Sequence, residues 1–163
     1  MKKIFLVLFS LAFLSAHSMV LKGGVNEDYI PKGFFGSWGV ISKLQNTNNP
    51  SLFNRESRDI WSLSGYNNIL FLENFETGAK SQIEIKNKEK DTLKFQRKKE
   101  AKTNEGKIIY KETVEFHLLK NRFSGTDKFI VEKYNLKNSL IERNEAIYQV
   151  EGTKISGSTP DLN

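Results

Sequence analysis

Arg97, Tyr110, Glu112 and Asp127 are the residues whose types and spacing point to chemistry, and alternation along their strands puts all four on one face. Tyr148 joins them from the last strand. An arginine and two carboxylates among phenols, at the end of an apolar interior, are suited to orient the polar head of a small ligand. The same residues also read as a self-contained structural pair, Arg97 diagonal to Glu112, because an inward charge persists only with a partner. Glu112 with Asp127 is the one carboxylate pair suited to hydrolysis of the glycosidase kind. Trp61, in Arg58-Asp59-Ile60-Trp61, is a further candidate for a pocket wall, with Leu63 on its face and Ile60 and Ser62 on the other.

Other catalytic chemistry finds few residues here. The chain has no cysteine and 2 histidines, His17 near the N-terminus and His117, which alternation turns outward beside Glu115. That leaves no thiol nucleophile and too few nitrogen or sulfur ligands for zinc. There is no Gly-x-Ser-x-Gly elbow, no His-Glu-x-x-His and no phosphate-cradling glycine loop. We therefore assign no catalytic residue, no metal and no cofactor.

The elements that must position these side chains are strands. Period-2 alternation recurs over Phe35–Leu44, Asp59–Ser64, Ile69–Leu72, Ala79–Lys86, Thr92–Lys98, Lys107–Leu118, Phe123–Tyr134 and Leu140–Val150. This predicts an all-β fold, a small antiparallel barrel or curved sheet of about eight strands. One short helix is expected after the first strand, with Asn49 as cap, Pro50 at the first helical position and Leu52-Phe53 as apolar face. A turn over Asn87–Asp91 pairs Ile85 with Leu93, Ile83 with Phe95 and Ser81 with Arg97. Beyond the Glu100–Gly106 loop, Leu93 falls opposite Val114, Phe95 opposite Glu112 and Arg97 opposite Tyr110. Around Lys120-Asn121, Phe116 falls opposite Gly125 and Val114 opposite Asp127. Aromatic cover over a glycine is a known compensation in sheets.

Gly36-Ser37-Trp38 opens the first strand, Thr126-Asp127 lies in the seventh and Arg143 in the last. In these patches the chain resembles the lipocalin family of calycin barrels. The resemblance implies that Trp38 closes the narrow end of a barrel and that an arginine, sought at Arg143, stacks over it. The chain departs from the family in having Lys128 after Thr126-Asp127 where a tyrosine is usual, no cysteine pair, and no C-terminal helix.

The N-terminus carries an address. Met1-Lys2-Lys3 is cationic, Ile4 to Leu14 is apolar apart from Ser10, and Ser15-Ala16-His17-Ser18 supplies small residues for cleavage. That order predicts a signal peptide over residues 1–18, too short in its apolar run for a bilayer helix of about 20 residues. An arm over 19–33, a barrel domain over 34–155 and a tail over 156–163 follow. Loss of the leader removes two of 25 basic residues and none of 19 acidic ones, so a net charge of +6 becomes +4. That mild excess, with no aromatic interleaving, predicts no nucleic-acid partner. Lys80–Lys111 holds eleven basic residues against five acidic ones, expected as a solvated face that discourages edge pairing, or as a contact for an anionic surface. Absent cysteines leave no disulfide and no acylated cysteine anchor. The expectation is an exported bacterial protein, periplasmic or secreted, that binds a small apolar or amphipathic ligand without catalysis. An envelope structural or interaction protein contacting a partner or anionic surface is the alternative, and a carboxylate-dependent hydrolase the second.

Overall fold

Strand-forming residues alternate in and out along most of the chain, and the computed structural model turns that pattern into one sheet. It describes residues 32–66, 69–74, 79–88 and 91–157; the expected signal peptide, most of the arm and residues 158–163 lie outside the described residues. The strands are β1 (Gly36–Thr47), β2 (Glu56–Tyr66), β3 (Ile69–Asn74), β4 (Ala79–Gln82), β5 (Glu84–Lys88), β6 (Thr92–Thr103), β7 (Gly106–Leu119), β8 (Arg122–Asn135) and β9 (Leu140–Ser156). β4 and β5 are halves of one run interrupted at the buried Ile83, so the eight expected strands are all present. Every ladder is antiparallel, in the order β4-β3-β2-β1-β9-β8-β7-β6-β5. First and last strands are neighbours, and the kinked fourth run meets β3 with one half and β6 with the other. The sheet is thereby a nearly closed barrel.

The lower half is packed solid. Phe34, on a single 3-10 turn (Lys32–Phe34), plugs the bottom, its carbonyl accepting a hydrogen bond from Trp38 Nε1 at 3.0 Å. Above it Trp38 meets the Phe123 ring edge-on at 5.2 Å, and Phe116 stacks on Phe123 at 4.6 Å. Two glycines make room for these rings. Phe116 crosses Gly125, as predicted, and Phe123 crosses Gly152. A Cβ at Gly125 would lie 2.0 Å from the Glu115 carbonyl oxygen, and one at Gly152 2.1 Å from the Phe123 ring. Both distances are far inside contact, so an alanine at either position displaces backbone or ring.

Several expectations need correction. Residues 50–53 form no helix: Leu52 N–H donates to Asn49 O at 3.1 Å, one turn, because β1 and β2 leave only eight residues between them. The hairpin of β6 and β7 closes on Thr103 and Gly106, tighter than expected, with Gly106 at φ 144° permitting the turn. Every pairing therefore moves by two residues. Leu93 faces Phe116, Phe95 faces Val114 and Arg97 faces Glu112 directly. A bulge between Ile85 and Asn87 likewise puts Ile85 opposite Phe95. A shift of two leaves each residue on its predicted face, which a shift of one would not. β9 runs on to Ser156, beyond the expected end at Val150, because its end pairs with Ser37 of β1.

Candidate functional site

Inward residues change character half-way up. Below lie Trp38, Val40, Trp61, Leu63, Leu72, Ile83, Leu93, Phe95, Val114, Phe116 and Phe123, all buried in one core. The void left among the rings there is about 10 Å³, room for a single water at most. The apolar half is a packed core. Trp61 belongs to it, stacked on Phe123 at 6.2 Å, apart from the other sequence-predicted site residues.

Above this core lies a polar layer. Arg97 (β6) is ion-paired to Glu112 (β7), directly across the ladder, and donates from a second guanidinium nitrogen to Ser81 Oγ at 3.0 Å. Its charge interacts with those of Asp127 (β8) and Asp59 (β2), while burial holds its pKa below the usual arginine value. Asp127 faces Val114 on one side, as predicted, and Tyr148 of β9 on the other. Among the described residues its Oδ1 is buried without a hydrogen-bond partner. Burial pushes the Asp127 carboxyl up to about 7, opposed by the Arg97 charge. The Tyr148 hydroxyl is raised as well, by burial and then by the charge of Asp127.

Asp59 is a member that the sequence reading left out of the site. Its two carboxylate oxygens accept from Asn74 Nδ2 at 2.8 Å and Ser57 Oγ at 3.1 Å. The signal was present: Asp59 sits two residues from Trp61 and four from Leu63, hence on their face. Tyr110 lies one level higher, its ring 6.5 Å from Phe129, with Lys99 across the ladder. Burial raises the Tyr110 hydroxyl and lowers the Lys99 ammonium. The structure thus brings Arg97, Glu112, Asp127 and Tyr148 together, with Tyr110 as their upper neighbour.

Among the described residues the wall around this upper half is incomplete. Among the described residues β2 pairs with β3 only from Trp61 downward, and β6 pairs with β5 only as far as Gln96. Among the described residues the upper parts of β2 and β6 have no ladder partner on that side, and the Arg97 side chain keeps 22% of its surface exposed. The concave wall above the layer is half-buried: Leu44, Phe129, Val131 and Tyr148 all retain partial exposure. Phe53, from the β1–β2 connection, covers one side by meeting Phe129 edge-on at 6.2 Å. Asn48 and Asn49 tie that connection to β9 through the Arg143 carbonyl at 3.0 Å and Asn144 Oδ1 at 3.1 Å.

A cation from the last strand does lie over Trp38, but it is Lys154. Its Nζ sits 4.7 Å from the ring centroid and donates to the Gly33 carbonyl at 2.6 Å. Arg143 is near the other end of β9, on the outer face, within 3.6 Å of Glu132 and 3.5 Å of Glu145. The register explains this: Trp38 pairs with Lys154, whereas Arg143 pairs with Glu132 of β8. Thr126-Asp127 falls in mid-strand, with Asp127 in the polar layer and Thr126 exposed on the outer face. Four lysines of the basic segment have acidic neighbours: Lys80 with Glu73, Lys86 with Glu84, Lys94 with Glu115 at 2.8 Å and Lys111 with Glu132. His117 is exposed, its Nδ1 2.8 Å from Thr92 Oγ1. Among the described residues no cluster of three potential metal ligands occurs, and no helix is long and apolar enough to cross a membrane.

Comparison with known protein families, curated proteins and solved structures gives no match to this chain.

Proposed function

We propose that this is a non-catalytic binding protein that takes a small amphipathic molecule in the upper half of its barrel. The ligand's polar head rests on the Arg97–Glu112–Asp127 layer and its apolar body lies along Phe129, Val131 and Leu44. The observation that carries this reading is Asp127: an inward carboxylate, 8% exposed, with one oxygen left without a partner. An unsatisfied buried acceptor costs about 1–3 kcal/mol, and a bound donor removes that cost. The packed lower core supports a site in the upper half rather than a ligand that fills the barrel. Glu112 is engaged by Arg97, which weighs against its serving as a general acid in a carboxylate pair. The N-terminal pattern supports export as the setting.

The test is mass spectrometry of small molecules retained on natively purified protein. Recovery of one amphipathic compound near stoichiometry is the expected result, and an empty protein at full folding counts against it. A second reading, contact with an envelope partner or anionic surface, draws on Leu136, Leu140 and Ile141. These stay 75%, 49% and 54% exposed around the β8–β9 turn, beside Lys133 and Lys137. Empty protein that captures a single envelope component would favour it.

A further inference from the structure

We infer that the head group received by the polar layer is a primary ammonium carried on an apolar body, an inference that rests on the binding reading above. The charges facing inward at this level come from four strands. β2 contributes Asp59, β6 contributes Arg97 and Lys99, β7 contributes Glu112, and β8 contributes Asp127; the phenols Tyr110 and Tyr148 complete the set. Among the described residues, three carboxylates against two cations leave this level one positive charge short.

The deficit has a location. Asp59 has both oxygens hydrogen-bonded, and Glu112 is held by Arg97. Asp127 alone keeps a buried acceptor without a partner among the described residues. An anionic head would add charge to a desolvated acidic layer and is excluded by repulsion. A neutral hydroxyl satisfies the acceptor but not the charge. An ammonium does both, through a charge-assisted hydrogen bond about twice as strong as a neutral one. Tyr148 directly across the ladder, and Tyr110 above, add aromatic rings of the kind that attract cations. A trimethylammonium has no N–H to donate and so leaves this acceptor unsatisfied. The raised carboxyl of Asp127 agrees with a group awaiting a cation, since an arriving positive charge returns it to the ionised form.

The test titrates the purified protein with octylammonium, octyltrimethylammonium, octanol and octanoate by calorimetry at about pH 8. Saturable binding of octylammonium is expected, about tenfold or more tighter than octanol or octyltrimethylammonium, with no binding of octanoate. Asp127→Asn should weaken octylammonium about tenfold or more and affect octanol much less, since only the ammonium loses a charge-assisted bond. In the unaltered protein, octylammonium affinity should fall between about pH 8 and about pH 5 as a proton competes at Asp127. That pH series needs no variant and stands even if Asp127→Asn misfolds. Octanol or octanoate binding as tightly as octylammonium overturns the cation inference and leaves the binding reading intact. Octyltrimethylammonium matching octylammonium overturns the choice of a primary head. Octylammonium affinity insensitive to both Asp127→Asn and pH removes Asp127 from the site. No binding by any of the four overturns both the inference and the reading beneath it.

Discussion

Glu112 and Glu132 are both buried carboxylates, carried by the neighbouring strands β7 and β8, one on each face of the same sheet. On the outer face, Glu132 accepts from Tyr134 Oη at 2.9 Å, lies 2.8 Å from Lys111 Nζ, and has Arg143 at 3.6 Å. One carboxylate there has more donors than it needs, and the hydrogen bond from Lys111, before all else, holds its pKa below the usual carboxylate range. On the inner face the proportion is reversed. Among the described residues Arg97 pairs with Glu112 and its charge also interacts with Asp127 and Asp59, while one carboxylate oxygen has no partner. A saturated cluster needs no explanation beyond stability. An unsaturated one, kept out of water, is where a missing partner is expected.

Removing the shared cation is the strongest way to probe this difference. Arg97→Ala leaves Glu112, Asp59 and Asp127 without their central counter-charge and should destabilise the fold by about 3 kcal/mol at about pH 8, as for a broken buried pair. Denaturant unfolding measures this, and the loss should shrink at about pH 5 as the carboxyls take up protons. A loss below about 1 kcal/mol would mean that the layer is solvated and the two clusters alike. Outside, Glu132→Gln should cost less, about 1–2 kcal/mol, because Lys111 and Arg143 can turn to water once released. That cost should also decline in high salt, which screens an outer-face cluster more than an inner one.

The two carboxylates should also give pH dependences of opposite sign. Glu132 titrates below its unfolded value in the folded state, so its stabilisation is present above the ordinary carboxylate range and is lost as pH falls. Asp127 titrates above its unfolded value of 3.8, at about 7. Its contribution is fully present below the unfolded value and is lost as pH rises through the folded one. Asp127→Asn should therefore flatten the stability profile between those limits and raise stability at about pH 8 by about 1 kcal/mol. Urea unfolding across the range reads both effects. A destabilised Asp127→Asn with an unchanged slope would show that the carboxylate is already satisfied.

Most of the fold was legible because alternation has a period of two and tolerates even errors. Eight strands, the inward face of the strands from Ala79 to Tyr134, and the crossing of Phe116 over Gly125 follow from parity alone. The exact partners of Leu93, Phe95 and Arg97 did not, because they depend on how tightly the chain turns at Gly106. The ion pair was legible as a pair, although its geometry is direct where a diagonal was expected. Asp59 was legible by parity, two residues from Trp61 on the same face, but its link to Arg97 depends on barrel closure bringing β2 and β6 to the same layer. The filled lower half was not legible. Alternation shows which side chains point inward, but the volume left between rings from different strands is set by barrel closure.

Arg143 and Lys154 provide the smallest and most discriminating effects. Lys154→Met removes the cation over Trp38 and the hydrogen bond to Gly33 O, and should cost about 0.5–1 kcal/mol. Arg143→Ala should cost less than about 0.5 kcal/mol, since Glu132 keeps Lys111 and Tyr134. That redundancy is what the inner layer lacks: a partner lost outside is replaced at once by its neighbours or by water, while among the described residues Glu112 is ion-paired to Arg97 alone. A large loss at Arg143 in thermal or urea unfolding would make the outer cluster as dependent on single contacts as the inner one. The contrast between an oversupplied outer face and an undersupplied interior would then fail, and with it the physical reason to seek a cationic ligand at Asp127.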